Sequence, residues 1–157
     1  MRFAVLILAI LLSAPVLAAG ASSYHNARYG ATADIPSGFV PAGTEEPNGD
    51  GMTFRNNKGS MVVIFGADVP GSDFEAYAES RYLHARDYDH YSNVSKTITP
   101  TWAELSASSG HQQMRMRIIP ACNGRLAVAV KYTGPTLSDS VWSKLKNSLQ
   151  AGPARAC

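Results

Sequence analysis

The chain has 157 residues, with 14 Lys+Arg against 12 Asp+Glu, and 45% of its residues are hydrophobic. That length is one domain's worth and suffices to bury a core without staples. The near-even charge balance gives no electrostatic footprint for nucleic acid, so that partner class is excluded first.

The opening "MRFAVLILAILLSAPVLAAGAS" reads as a secretory signal peptide: Arg2 is the positive n-region, Phe3–Leu12 the apolar h-region, and Ala18, Ala19 and Ala21 offer small-residue cleavage sites. The apolar run is well short of the roughly 20 residues that a membrane-spanning helix needs. No cysteine directly follows the h-region, which speaks against a lipid anchor, and no later apolar stretch predicts a membrane span. The expected organisation is a signal peptide over residues 1–21, one domain over 22–150 and a flexible C-terminal tail over 151–157. The expected location is periplasmic or secreted.

"SYHNARYGATADIP" predicts two short strands joined by a turn and ended by Pro36. "SGFVPAGTEEPNGDG" follows as a loop rich in Pro, Gly and acids. "MTFR", "NNKG" and "SMVVIFG" read as strand, turn and strand, the second apolar on both faces. "GSDFEAYAESRYLHARDY" is the first helix, with Ser72 and Glu75 as an expected capping box and Phe74, Tyr77, Ala78, Tyr82 and Ala85 on one face. A polar stretch comes next, carrying the short glycosylation pattern Asn93-Val94-Ser95, which is too common to weigh. After "TWAELSAS", "HQQMRMRIIPACNGRLAVAVKY" holds Asn123-Gly124 between two alternating runs, the signature of a type I′ hairpin turn. Met114, Met116 and Ile118 alternate with Gln113, Arg115 and Arg117. "LSDSVWSKLKNSLQ" is a second amphipathic helix that buries Val141, Trp142, Leu145 and Leu149. Hairpins plus two apolar-striped helices predict an α+β fold, an antiparallel sheet with helices packed on it.

Three phrases carry a family resemblance: "YHNARYGATADIPSGF", "NGDGMTFRNNKGSMVVIFG" and "VWSKLKNSL" after a late strand. Together they span most of residues 24–149, and the chain resembles the PsbP-like superfamily of α/β/α sandwiches, in particular its short exported bacterial proteins. The resemblance implies a non-enzymatic domain that binds or steadies a partner. The partner expected is a protein of the bacterial envelope, and no cofactor is expected.

Four places could carry chemistry. Asn48-Gly49-Asp50-Gly51 could cradle a ligand, but a calcium loop needs six to eight oxygens closed by a later acid, and here Glu45 and Glu46 come before. A phosphate loop needs a lysine opening a helix, whereas a strand follows. The residues suit a tight turn into that strand. In "HARDYDHYSN", His84, Asp87 and His90 are types that ligate a catalytic zinc, the basis of an alternative reading as a small metal-dependent hydrolase. Polar residues at a helix end more often form a solvated surface. No G-x-S-x-G elbow points to a nucleophile. Arg115 and Arg117 are suited to carboxylate or phosphate partners, and Tyr88 and Tyr91 to a contact patch. The competing expectation for the arginines is an outward strand face paired with neighbouring acids.

Cys122 and Cys157 are the only cysteines. In an exported chain an even count predicts a disulfide, and only one intramolecular pairing exists. The alternative is a free terminal thiol on the tail and a small buried residue at Cys122.

Overall fold

The computed structural model describes residues 22–45 and 47–157, so the expected signal peptide over 1–21 and the acid Glu46 lie outside the described residues. The opening phrase forms β1 (Ser22–His25) and β2 (Ala31–Ile35), paired antiparallel with Ser22 opposite Ile35. The following loop contains a two-residue strand, β3 (Val40–Pro41), against the end of β4 (Gly51–Arg55). β5 (Met61–Asp68) completes this set; Val62 and Ile64 are buried and Met61, Val63 and Phe65 half-buried.

The first helix, α1 (Phe74–Asp87), buries Phe74, Ala78 and Ala85, with Tyr77 and Tyr82 packed beside them. Its cap differs from expectation. Ser72 sits at φ 57 at the end of a 3-10 turn, a left-handed position from which it cannot serve as N-cap. Asp73 has the extended backbone that a cap requires, and its carboxylate accepts the Ala76 N–H at 2.9 Å.

The polar stretch after α1 is a strand, β6 (Asn93–Thr99), where the residue pattern predicts no element. β7 (Trp102–Ser109), β8 (Gln112–Ala121) and β9 (Leu126–Gly134) continue from it as an antiparallel meander. The β8–β9 turn has Asn123 at φ 55 and Gly124 at φ 82, closed by the Arg125 N–H on Cys122 O at 3.2 Å, the type I′ geometry that Asn-Gly favours. α2 (Asp139–Ser148) is capped by the Ser138 hydroxyl and buries Trp142 and Leu145, with Leu149 buried just beyond its end.

Seven strands form one antiparallel sheet in the order β3-β4-β5-β9-β8-β7-β6. One face carries α1 over Ala103, Leu105, Ala107, Met114, Met116 and Ile118. The other carries α2 and the small sheet over Val62, Ile64, Val128, Val130 and Tyr132. The chain is thus an α+β fold, two helices packed on a large antiparallel sheet. Close approach is demanded at Gly66, where a Cβ would lie 2.0 Å from the Tyr29 Cβ.

The C-terminal tail is held by main-chain pairing as well as by the disulfide. Gln150–Ala151 forms β10 along β2, giving a small sheet in the order β1-β2-β10. Beyond it, Gly152, Arg155 and Ala156 donate backbone N–H groups to Gly30, Ala27 and Arg28, and Ala154 packs against the core. Cys122 and Cys157 are bridged, with Cα atoms 5.6 Å apart, within the usual span of a disulfide.

Candidate functional site

The Asn48–Gly51 loop is held by the β1–β2 turn. Asn26, fully buried, donates to Gly49 O and to Glu45 Oε1, both at 2.8 Å, and accepts the Tyr29 N–H at 2.7 Å. Arg28 donates to Asn48 O and reaches Asp50 at 3.1 Å, and the Asn48 amide bonds the same carboxylate. The Tyr24 hydroxyl bonds Glu45; burial, reinforced by that carboxylate, raises its pKa to about 12. Both Asp50 carboxylate oxygens, Glu45 Oε1 and the Asn48 and Gly49 carbonyls each face a donor from the same chain, so the segment acts as a braced turn into β4. Asn26 was not singled out from sequence; a lone polar residue between two short strands carries no pattern that marks it as buried.

Residues 84–91 form the C-terminal end of α1 and the loop after it. His84 Nε2 lies 3.6 Å from Asp89 Oδ1, and its ring stacks on Tyr88. Asp87 turns to the neighbouring Arg86, at 2.6 and 2.9 Å, and the bond from that guanidinium lowers its carboxyl pKa. Asp89 also faces Lys131 Nζ at 3.5 Å, and His90 is exposed at φ 56. Among the described residues no three His, Cys, Asp or Glu side chains converge on a metal position. His84, Asp87 and His90 are therefore not brought together as a ligand set: Asp87 and His84 each turn to a different neighbour. Tyr88 is 73% exposed, whereas Tyr91 packs into the cluster beneath α1, where burial first and Asp89 second raise its hydroxyl pKa.

Arg115 and Arg117 lie on the opposite face, because side chains alternate along β8 and Met114, Met116 and Ile118 take the α1 side. The four residues expected as contact sites thus divide between two faces. Arg117 bonds Glu104 of β7 at 2.6 Å and stacks over the Trp102 ring at 4.3 Å. Lys146 of α2 bonds the same Glu104 oxygen at 2.8 Å, and Arg115 pairs with Asp139 at 2.8 Å. The paired-face expectation describes them. Glu104, Asp139, Lys146 and Trp102, which complete this network, went unremarked in the sequence, since their meeting depends on where α2 crosses the sheet. Beside the network, the part of β6, β7 and β8 not covered by α2 floors an open groove of about 520 Å³, lined by Ser95, Ser106, Ser108, Gln113 and Arg115. Gln113 Oε1 is buried there without a hydrogen-bond partner among the described residues.

The fold and these internally paired surfaces define a sandwich domain of the α+β class, with ion pairs on both faces. Among solved structures the chain is similar to the Ran-binding protein Mog1p of Saccharomyces cerevisiae, with a TM-score of 0.59 at 8% identity over 83% of this chain and 95% of that one. A mutant of protein Mog1 gives 0.56 at 9% identity, covering 77% and 90%. A protein from Bacteroides thetaiotaomicron gives 0.50 at 17% identity, covering 78% of this chain and 45% of that one. No family model matches the chain, and no curated protein sequence matches it. Identities this low carry the fold.

Proposed function

We propose that the chain is an exported member of the PsbP-like superfamily, a non-catalytic binding or accessory module of the bacterial envelope whose partner is a protein. The observation that carries this reading is the sandwich shared with Mog1p, whose solved structure is described as that of a Ran-binding protein. A shared fold does not fix the partner, so the partner is set by this chain's own surface. Export is supported by the leader-like sequence over 1–21 and by the Cys122–Cys157 bridge, a bond that persists in oxidising compartments.

Affinity capture from an envelope extract, with the folded protein as bait, tests the binding role. One specific protein partner is expected, eluting with the bait and absent from a column carrying unfolded bait. Recovery of no partner, together with turnover of a substrate by the purified protein, would overturn the reading. Mass spectrometry of the protein from culture tests export, with a mature start between Ala19 and Ser22 expected; an intact Met1 in a membrane fraction would refute it.

A further inference from the structure

The two edges of the large sheet are unlike. At one end β3 is two residues long and contains Pro41, which has no N–H to offer a neighbour. At the other end β6 runs for seven residues, with no strand on its outer side among the described residues. Its one charged residue is Lys96. The pairing fixes which main-chain groups are left open. Ser108 O accepts the Ser92 N–H at 3.1 Å, so Ser108 faces β6, and its register partner is Asn93. Antiparallel alternation then turns the N–H and C=O groups of residues 93, 95, 97 and 99 inward and those of Val94, Lys96 and Ile98 outward.

The side chains of β6 divide in the same way. Val94 and Ile98 pack half-buried against the cluster under α1. Lys96 lies over the Tyr82 ring at 4.2 Å and bonds Glu79 of α1. Leu83 follows Glu79 by one helical turn and therefore flanks the same edge, 38% exposed. On the opposite face Ser95 bonds Ser106 at 2.7 Å, beside the polar groove.

We propose that β6 is a docking edge that accepts an extended peptide of another protein as an eighth strand. Main-chain hydrogen bonds supply the affinity, and alternating side chains supply the specificity. The fitting peptide carries apolar residues on the α1 side, meeting Val94, Ile98 and Leu83, and polar residues on the side of Ser95 and Thr97. A second copy of the chain fits less well. Two-fold antiparallel pairing in full overlap sets Lys96 directly opposite Lys96, and like charges so placed oppose pairing. The inference rests on the reading of the protein as a binding module and names the surface used.

The test is selection from a displayed library of ten-residue peptides with alternating apolar and polar positions, against the folded protein. Binding is then compared in Lys96→Ala, which keeps the outward N–H, and Lys96→Pro, which removes it. Proline is tolerated on an edge strand, and losing the N–H is expected to weaken selected peptides by about tenfold or more. Lys96→Ala should stay within about threefold of the parent, as expected for one partly exposed ion pair. If Lys96→Pro does not fold, hydrogen exchange on the parent decides: the Val94, Lys96 and Ile98 amides should gain protection only with peptide bound. Failure to select a peptide, equal binding by folded Lys96→Pro, or unchanged exchange at those amides would overturn the proposal. So would a dimer in sedimentation that folded Lys96→Pro disperses, which would make the occupant a second copy. An envelope partner captured equally well by Lys96→Pro sinks the edge while leaving the binding-module reading intact.

Discussion

Replacing both cysteines, Cys122→Ser with Cys157→Ser, tests whether the tail is part of the fold. The bridge joins residues 35 apart in sequence and closes a loop that holds β9, α2 and β10. In the chain-entropy model a loop of this length restricts the unfolded chain by about 4 kcal/mol. For the 136 residues from 22 to 157, each kcal/mol shifts the midpoint by about 3 °C, so the double variant should melt about 12 °C lower. The full effect requires that the native tail is already held where the bridge needs it. Three backbone hydrogen bonds from Gly152, Arg155 and Ala156 to the β1–β2 turn do that, and the Arg125 guanidinium bonds Cys157 O at 2.7 Å. The assay is thermal unfolding followed by circular dichroism on oxidised, reduced and double-serine protein. The last two should coincide well below the first. A double-serine chain melting within about 3 °C of the oxidised parent would refute the reasoning, because the ends would then gain nothing from being joined.

Three further outcomes follow from the packing. Gly66→Ala drives a methyl group into the Tyr29 side chain and should cost about 1–3 kcal/mol in urea unfolding, or more if β2 must shift. Leu145→Ala removes a fully buried side chain between α2 and the sheet and should cost about 2–5 kcal/mol in the same assay. The Tyr24 pKa is raised from 10.0 to about 12 on folding, so the fold holds the neutral hydroxyl. Its contribution to stability is complete below pH 10 and is lost as pH rises through about 12. Burial also raises Tyr29, Tyr77 and Tyr91, so ultraviolet titration should show late phenolate ionisation whose amplitude near pH 12 Tyr24→Phe lowers. All seven tyrosines ionising together near pH 10 in folded protein, or a Tyr24→Phe titration with an unchanged late amplitude, would reject it.

The elements with strong periodicity were legible in the sequence. The Met114–Met116–Ile118 alternation and Asn123-Gly124 placed the β8–β9 hairpin, and the Trp142–Leu145 spacing placed α2. β6 was not legible. The side-chain row facing α1 sets Lys96 between Val94 and Ile98, its charge held by Glu79 and its Nζ over Tyr82, so the apolar period is broken at its centre. Ser72 misled as a cap because Gly71-Ser72 takes two consecutive left-handed residues, which no local pattern of residue types specifies. The main-chain pairing of the tail is not legible because "AGPARAC" has no periodicity; its order comes from the backbone of residues 27–30, more than a hundred residues away. Arg115 and Arg117 were legible as an outward stripe, whereas their partners on α2 required the crossing of helix and sheet.

The carboxylates and arginines of these candidate sites share one property. Asp50 is taken by Arg28, Asp87 by Arg86, Asp89 by His84 and Lys131, Arg115 by Asp139, and Arg117 by Glu104. Each partly exposed pair contributes only about 0–1 kcal/mol, so their effect is less to stabilise the fold than to occupy these particular charges. A patch whose charges are paired with one another recognises poorly by point charge and better by shape and main chain. The polar groups left open in a row are then the outward N–H and C=O groups of Val94, Lys96 and Ile98. The long open edge of β6 thus offers the proposed partner, a polypeptide met in extended form, a row of main-chain groups to pair with.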